Sequence, residues 1–198
     1  MYSTFIGLNK TIVLSGEQSL WDGLKRGNVQ SLEALYTQYN ELLYNYGKKF
    51  TTDIHLVQDA IQETFISLWK YRTSISADKG FNYYLLKSFR NQLLRLIKER
   101  ANTTYTDETL EFSFEVGFDK QLIAGEEYAL LSKQVKDALG QLTARQREII
   151  YFRFFEGLSF EEIAGIMNMQ VRATYKLTSR ALAALKEIMS ILFILKII

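Results

Sequence analysis

The densest chemical signal in the chain lies between Leu158 and Lys176. Ser159-Phe160-Glu161-Glu162 opens a short helix with a capping sequence, a three-residue turn follows, and a second helix begins near Val171. This spacing predicts a helix-turn-helix, a motif whose second helix enters the major groove of double-stranded DNA. Ile163, Ala164 and Met167 would pack the first helix across the second, with Ala164 small enough for close approach. Arg172, Ala173, Tyr175, Lys176 and Ser179 would lie nearest DNA, with Arg180 able to reach a phosphate. Arginine and lysine can read guanine edges or neutralise the backbone, and residue type alone does not separate those roles.

Two further constellations lie upstream. From Asp59 to Trp69, the side chains of Asp59, Gln62, Glu63 and Ser67 can face outward while Ile61, Phe65, Leu68 and Trp69 face inward. Such an acidic and amide surface suits a charge-complementary protein partner, at which electrostatics sets register and specificity more than affinity. Farther along, Tyr83, Tyr84, Lys87, Arg90, Asn91, Arg95 and Lys98 interleave rings, amides and cations. Cations neutralise phosphate, and rings or amides can receive bases that have left the stack. Some rings must serve the core instead, Tyr84 and Phe89 foremost.

The elements that would hold these groups are helical throughout. Proline is absent, and apolar residues recur at helical spacing. Leu32, Leu35, Tyr36, Tyr39, Leu42, Leu43 and Tyr46 form one stripe; Ile54, Val57, Ile61, Phe65, Leu68 and Trp69 a second; Phe81, Tyr84, Leu85, Phe89, Leu93 and Leu96 a third. Three such helices can share one core. A shorter helix from about Glu17 to Arg26 should precede them and end at Gly27-Asn28. Between Ala101 and Gly125 the period weakens, and a connector is expected, with Phe112, Phe114 and Phe118 arguing that part of it docks. Period resumes at Glu126, a helix ends near Gly140, and Thr143-Ala144-Arg145-Gln146 caps the next. Gly157 stands where a tight bend is needed.

The predicted fold class is therefore all-α, with two small helical domains joined by an acidic linker and the helix-turn-helix in the second. The expected boundaries are 17–100 for the first domain, 101–125 for the linker, 126–190 for the second domain and 191–198 for an apolar helical extension. Charge follows the same division. There are 13 Lys/Arg against 9 Asp/Glu through Arg100, 1 against 7 from Ala101 to Glu127, and 10 against 6 beyond. Two mildly basic modules flanking an acidic connector suit a polyanionic partner.

At 198 residues with no cysteine and one histidine, His55, the chain cannot be a large multi-domain enzyme, a disulfide scaffold or a Cys/His zinc protein. The first eleven residues do not resemble a secretory signal, and the run from Ile191 to Ile198 is too short to span a bilayer. No phosphate-binding glycine loop or acid-base cluster is visible, so no cofactor, metal, small-molecule substrate or catalysis is expected.

Both halves together resemble the sigma subunits of bacterial RNA polymerase, in particular the extracytoplasmic-function (ECF) group of the sigma-70 family. Asp59-Ala60-Ile61-Gln62-Glu63-Thr64-Phe65-Ile66-Ser67-Leu68-Trp69 is similar to that family's core-polymerase-binding signature. The stretch Phe81-Asn82-Tyr83-Tyr84-Leu85-Leu86-Lys87-Ser88-Phe89-Arg90-Asn91 is similar to its promoter-melting helix. Leu142 to Glu148, Gly157 to Ala164 and Arg180-Ala181-Leu182 follow its upstream-element domain, so the likeness runs from about Leu20 to Met189.

The resemblance implies a non-enzymatic initiation factor that binds core RNA polymerase, directs it to specific promoters and promotes DNA opening. It assigns Asp59, Gln62, Glu63 and Ser67 to the polymerase clamp. It assigns Tyr83, Lys87, Arg90, Asn91, Arg95 and Lys98 to downstream promoter DNA, and Arg172, Ala173, Tyr175, Lys176, Ser179 and Arg180 to upstream promoter DNA. It also implies a cytoplasmic location and an anti-sigma protein able to recruit the factor to the inner membrane. The chain departs from the family where an acidic residue commonly stands at Arg95, and where Arg172-Ala173-Thr174-Tyr175 replaces a glycine-threonine-valine-lysine pattern. An ordinary helix-turn-helix regulator with an N-terminal sensing or dimerisation domain is the leading alternative. A helical scaffold is a more remote one.

Overall fold

The computed structural model describes residues 18–75, 80–101, 110–114 and 125–195, with the side chains of 125–132 and 188–195 outside that description. The start of the first module at residue 17, most of the acidic stretch with Phe118, and the side chains of the apolar end from Ile191 therefore lie outside the described residues. The chain is all-α and divides into two units, Met1–Lys48 with Thr52–Asn102 and Lys49–Thr51 with Thr103–Ile198.

The first unit contains α1 (18–25), α2 (Val29–Gly47), α3 (Ile54–Tyr71) and α4 (Phe81–Ala101). The first helix stops before Gly27, and Asn28 caps the second by accepting from the Ser31 amide at 3.1 Å. Asp53 caps α3, accepting from the amides of His55 and Leu56 at 3.1 and 3.2 Å. The same carboxylate pairs with Arg100 at the far end of α4. Leu35, Leu43, Val57, Leu68, Leu85, Phe89 and Leu93 are fully buried, each on the inward stripe of its helix. Where α2 ends, the helices meet so closely that a Cβ on Gly47 would lie 2.6 Å from Val57 and 2.9 Å from Phe89. Only glycine fits that crossing without repacking.

Three inward assignments need revision. Ile54, counted with the α3 stripe, is 47% exposed in the first turn of its helix. Tyr36, counted with the α2 stripe, is 41% exposed, although its ring meets Phe65 edge-on at 5.1 Å. Trp69 is half-buried with the Arg72 guanidinium 4.4 Å over its ring, a position at the rim of the bundle.

The second unit contains α5 (Gly125–Gly140), α6 (Ala144–Phe154), α7 (Phe160–Ile166) and α8 (Val171–Leu195). Thr143 and Ser159 each form a reciprocal capping box, with Gln146 and Glu162 respectively. Gly157 takes φ +66°, a left-handed conformation that lets the chain turn between α6 and α7. Part of the acidic stretch is packed, with Leu110, Phe112 and Phe114 buried. Arg147 secures it: the guanidinium donates to the carbonyl of Phe112 and to those of Leu139 at 3.2 Å, Gly140 at 3.3 Å and Leu142. One arginine thus satisfies carbonyls around the end of α5 that the helix itself leaves open. Partial burial lowers its pKa, opposed by the nearby charge of Glu111. None of the helices among the described residues is long and apolar enough to cross a membrane.

Candidate functional site

On α3, Val57, Ala60, Ile61, Thr64, Phe65 and Leu68 are buried, so the opposite side of the helix must face solvent. Asp59, Gln62 and Glu63 are exposed there, and Ser67 is half-buried at their edge. Ile66, which residue type alone would assign to the core, is 61% exposed on this face. An isoleucine out of phase with the 57/61/65/68 stripe is the signal that could have marked it. The surface is therefore acidic and amide in character with an apolar centre, a composition suited to protein contact. Between α2 and α3, Leu32, Glu33, Tyr36, Thr37 and Phe65 line an open groove of about 450 Å³.

On α4, Tyr83, Lys87, Asn91, Arg95 and Lys98 follow one another at helical spacing along a single stripe. Asn91 and Arg95 are exposed, while Tyr83, Lys87 and Lys98 are half-buried. The Lys87 ammonium donates to the Tyr83 hydroxyl at 3.4 Å and lies 5.7 Å from its ring. Arg95 pairs with Glu99 at 2.8 Å and donates to Gln92 at 3.1 Å. That exposed pair is worth little in water and can be exchanged for a phosphate at small cost.

Arg90 corrects the sequence expectation. It is only 2% exposed and shares the inward side of α4 with Leu86, Phe89, Leu93 and Leu94. Its guanidinium belongs to the interior of the bundle and is not a surface group for DNA. Phe89 is fully buried, and the half-buried Tyr84 has its ring 6.3 Å from that of Trp21.

In the second unit, α7 packs on α8, and Ile163, Ala164 and the C-capping Met167 are all buried. The turn between them closes through the Met169 amide, which donates to the Ala164 carbonyl at 2.8 Å. Asn168 takes φ +51°, a left-handed conformation that asparagine tolerates better than most residues. Along α8, Thr174, Thr178 and Ala181 are buried, whereas Arg172, Tyr175, Lys176, Ser179 and Arg180 are exposed and Ala173 is half-buried. The threonine hydroxyls are satisfied within the helix, Thr174 donating to Gln170 at 3.1 Å and Thr178 to Thr174 at 3.0 Å. The outer face of α8 therefore carries three cations, a tyrosine and a serine over a tightly packed base. Near the end of α6, Tyr151 donates to Glu156, and burial together with that carboxylate raises its pKa well beyond the ordinary phenol range.

Sigma-70 region 2 matches residues 35–103 and sigma-70 region 4 matches residues 132–185, together well over half of the chain. The RNA polymerase sigma-H factor of Pseudomonas aeruginosa is 26% identical over 179 residues, covering 86% of this chain and 92% of that protein. The sigma factor SigV of Bacillus subtilis is 28% identical over 148 residues, covering 75% and 82%. Among solved structures, CnrH in complex with the cytosolic domain of CnrY has a TM-score of 0.57 at 20% identity, covering 88% of this chain and 97% of that one. The sigma factor RpoE in complex with the anti-sigma factor NepR from Bartonella quintana has a TM-score of 0.55 at 19% identity, covering 80% and 96%. These two show the fold.

The chain belongs to the sigma-70 family of RNA polymerase sigma factors, in its ECF group. Like other members it is a transcription factor that binds RNA polymerase and directs promoter recognition, and it is not a catalyst.

Proposed function

We propose that the three faces divide the work of initiation. The α3 face with Asp59, Gln62, Glu63 and Ser67 docks on core RNA polymerase, with Ile66 as its apolar centre. The α4 stripe of Tyr83, Lys87, Asn91, Arg95 and Lys98 receives downstream promoter DNA as it opens. Helices α7 and α8 act as a helix-turn-helix whose outer residues Arg172, Ala173, Tyr175, Lys176, Ser179 and Arg180 read the upstream element. The observation that carries this reading is the sidedness of α8, where threonine and alanine are buried while Arg172, Lys176 and Arg180 are exposed.

The roles are separable by experiment. Alanine at Arg172, Tyr175 or Lys176 should weaken binding of the polymerase complex to upstream-element duplexes. A bidentate guanine contact is worth about 1 to 3 kcal/mol of discrimination, and a phosphate contact weakens all sequences alike. Substitution of Lys87 and Asn91 should reduce permanganate-sensitive open complex while sparing closed-promoter binding. A premelted bubble should restore most of the loss, because the unstacking cost is already met. An equal defect on duplex and bubble would contradict the role given to α4.

Restraint by an anti-sigma protein in the cytoplasm, at the inner-membrane surface, fits the same reading. The similar sigma folds were solved with the cytosolic domain of CnrY and with the anti-sigma factor NepR.

A further inference from the structure

Three side chains from three helices of the second unit meet at the Phe160 ring. The Arg153 guanidinium, in the last turn of α6, lies 4.8 Å from the centre of the Phe160 ring. Phe160, the first residue of α7, has its ring centre 4.0 Å from that of Tyr175 on α8, with the planes inclined by 35°. Arg153 and Phe160 are each held independently of Tyr175. Arg153 donates to the Leu158 carbonyl at 2.8 Å, and Phe160 follows the Ser159–Glu162 capping box that fixes the first turn of α7. Tyr175 is nevertheless 50% exposed, between the exposed Arg172 and Ser179 on the outward face. Phe160 covers part of the ring and half of the residue stays open to meet a ligand.

We propose that Arg153 and Phe160 are positioning residues that lock Tyr175 as a base-reading side chain, and so set sequence preference at one base pair of the upstream element. This rests on the reading of α8 as the helix that enters the major groove. A freely rotating tyrosine would adapt to several bases and would lose rotamer freedom on binding. A ring already set against a phenylalanine that is itself in contact with a cation presents one edge in one place. That edge suits a thymine methyl, and the hydroxyl suits an acceptor on the same base pair. Two residues outside the recognition helix thereby contribute to specificity without touching DNA.

The test uses the full chain bound to core polymerase and duplexes randomised across the upstream element. Tyr175→Ala should relax preference at one base pair. Phe160→Leu and Arg153→Met should relax preference at that same base pair by roughly two- to tenfold, the range expected for stacking and cation–π contacts. Preferences elsewhere and the salt dependence of binding should stay as in the parent protein. Phe160→Trp, which keeps a ring in place, should retain the preference. Adding Phe160→Leu to Tyr175→Ala should cost nothing further, because the two act through one contact.

Circular dichroism identifies any variant that does not fold, and if Phe160→Leu is one, Arg153→Met decides. Folded Phe160→Leu and Arg153→Met proteins that keep the parental preference while Tyr175→Ala loses it would overturn the proposal. So would a uniform loss of affinity for Tyr175→Ala, the mark of a phosphate contact. If Arg172→Ala changes base preference and Tyr175→Ala does not, α8 reads DNA as proposed and this inference alone fails. If none of Arg172, Tyr175 and Lys176 affects upstream preference, the reading of α8 itself fails and the inference falls with it.

Discussion

Arg90 and Asn91 are adjacent in sequence but have opposite fates. Asn91 is exposed on the α4 stripe, whereas Arg90 is sealed in the bundle. Residue type suggested that both were polar surface groups. Helical phase gives the correct answer, because Arg90 lies four residues after Leu86 and three before Leu93. Arg90→Ala should therefore lower the melting temperature of the first unit, since it removes a large buried side chain and leaves a cavity. Asn91→Ala should leave melting nearly unchanged and reduce promoter opening. Thermal melts of the two variants measured beside open-complex assays distinguish these outcomes. Tyr151 supplies a pH dependence. Its folded pKa is raised above the unfolded value of about 10, so its contribution to stability is full below that pH and is lost as pH rises beyond it. Stability of the parent protein should fall more steeply above pH ~10 than that of Tyr151→Phe, which has no proton to lose there. Equal alkaline slopes would contradict the assigned cause.

At the scale of elements, local chemistry was legible wherever one short stretch decided the outcome. Thr143 and Ser159 cap their helices through neighbours three residues away, Gly157 makes its bend, and α8 starts at Val171. Ser159→Ala should cost about 1 kcal/mol of stability through the lost cap, read as a lowered urea midpoint with unchanged slope. Features made by distant residues were not legible. Gly47 is the last residue of α2, and its hydrogen atom fills the space between Val57 and Phe89. Gly47→Ala should destabilise the first unit by about 1 to 3 kcal/mol, again measured by urea unfolding, because a methyl group there must displace packed side chains. The Arg147 clamp and the Arg153–Phe160–Tyr175 contact likewise join residues that no periodicity relates. Ile66 falls between these cases, since its departure from the inward stripe was present in the sequence but its apolar character suggested burial.

Across the whole molecule, the two units carry separable surfaces, acidic with an apolar centre on α3 and cationic on α8. A factor of this kind should bind polymerase through one and promoter through the other, so that damage to either abolishes directed initiation without unfolding its neighbour. Alanine at Asp59, Gln62 and Glu63 together should weaken polymerase binding while preserving helix content, because all three are exposed. The most direct test of the central claim mixes the full chain with core polymerase without DNA, measures the stoichiometry, and then maps transcription start sites on fragmented genomic DNA. The account predicts a one-to-one complex that starts transcription at discrete sites, and loses those starts when the three α3 residues are replaced. A chain that does not bind core polymerase, and instead binds a palindromic duplex by itself as a dimer, would contradict it.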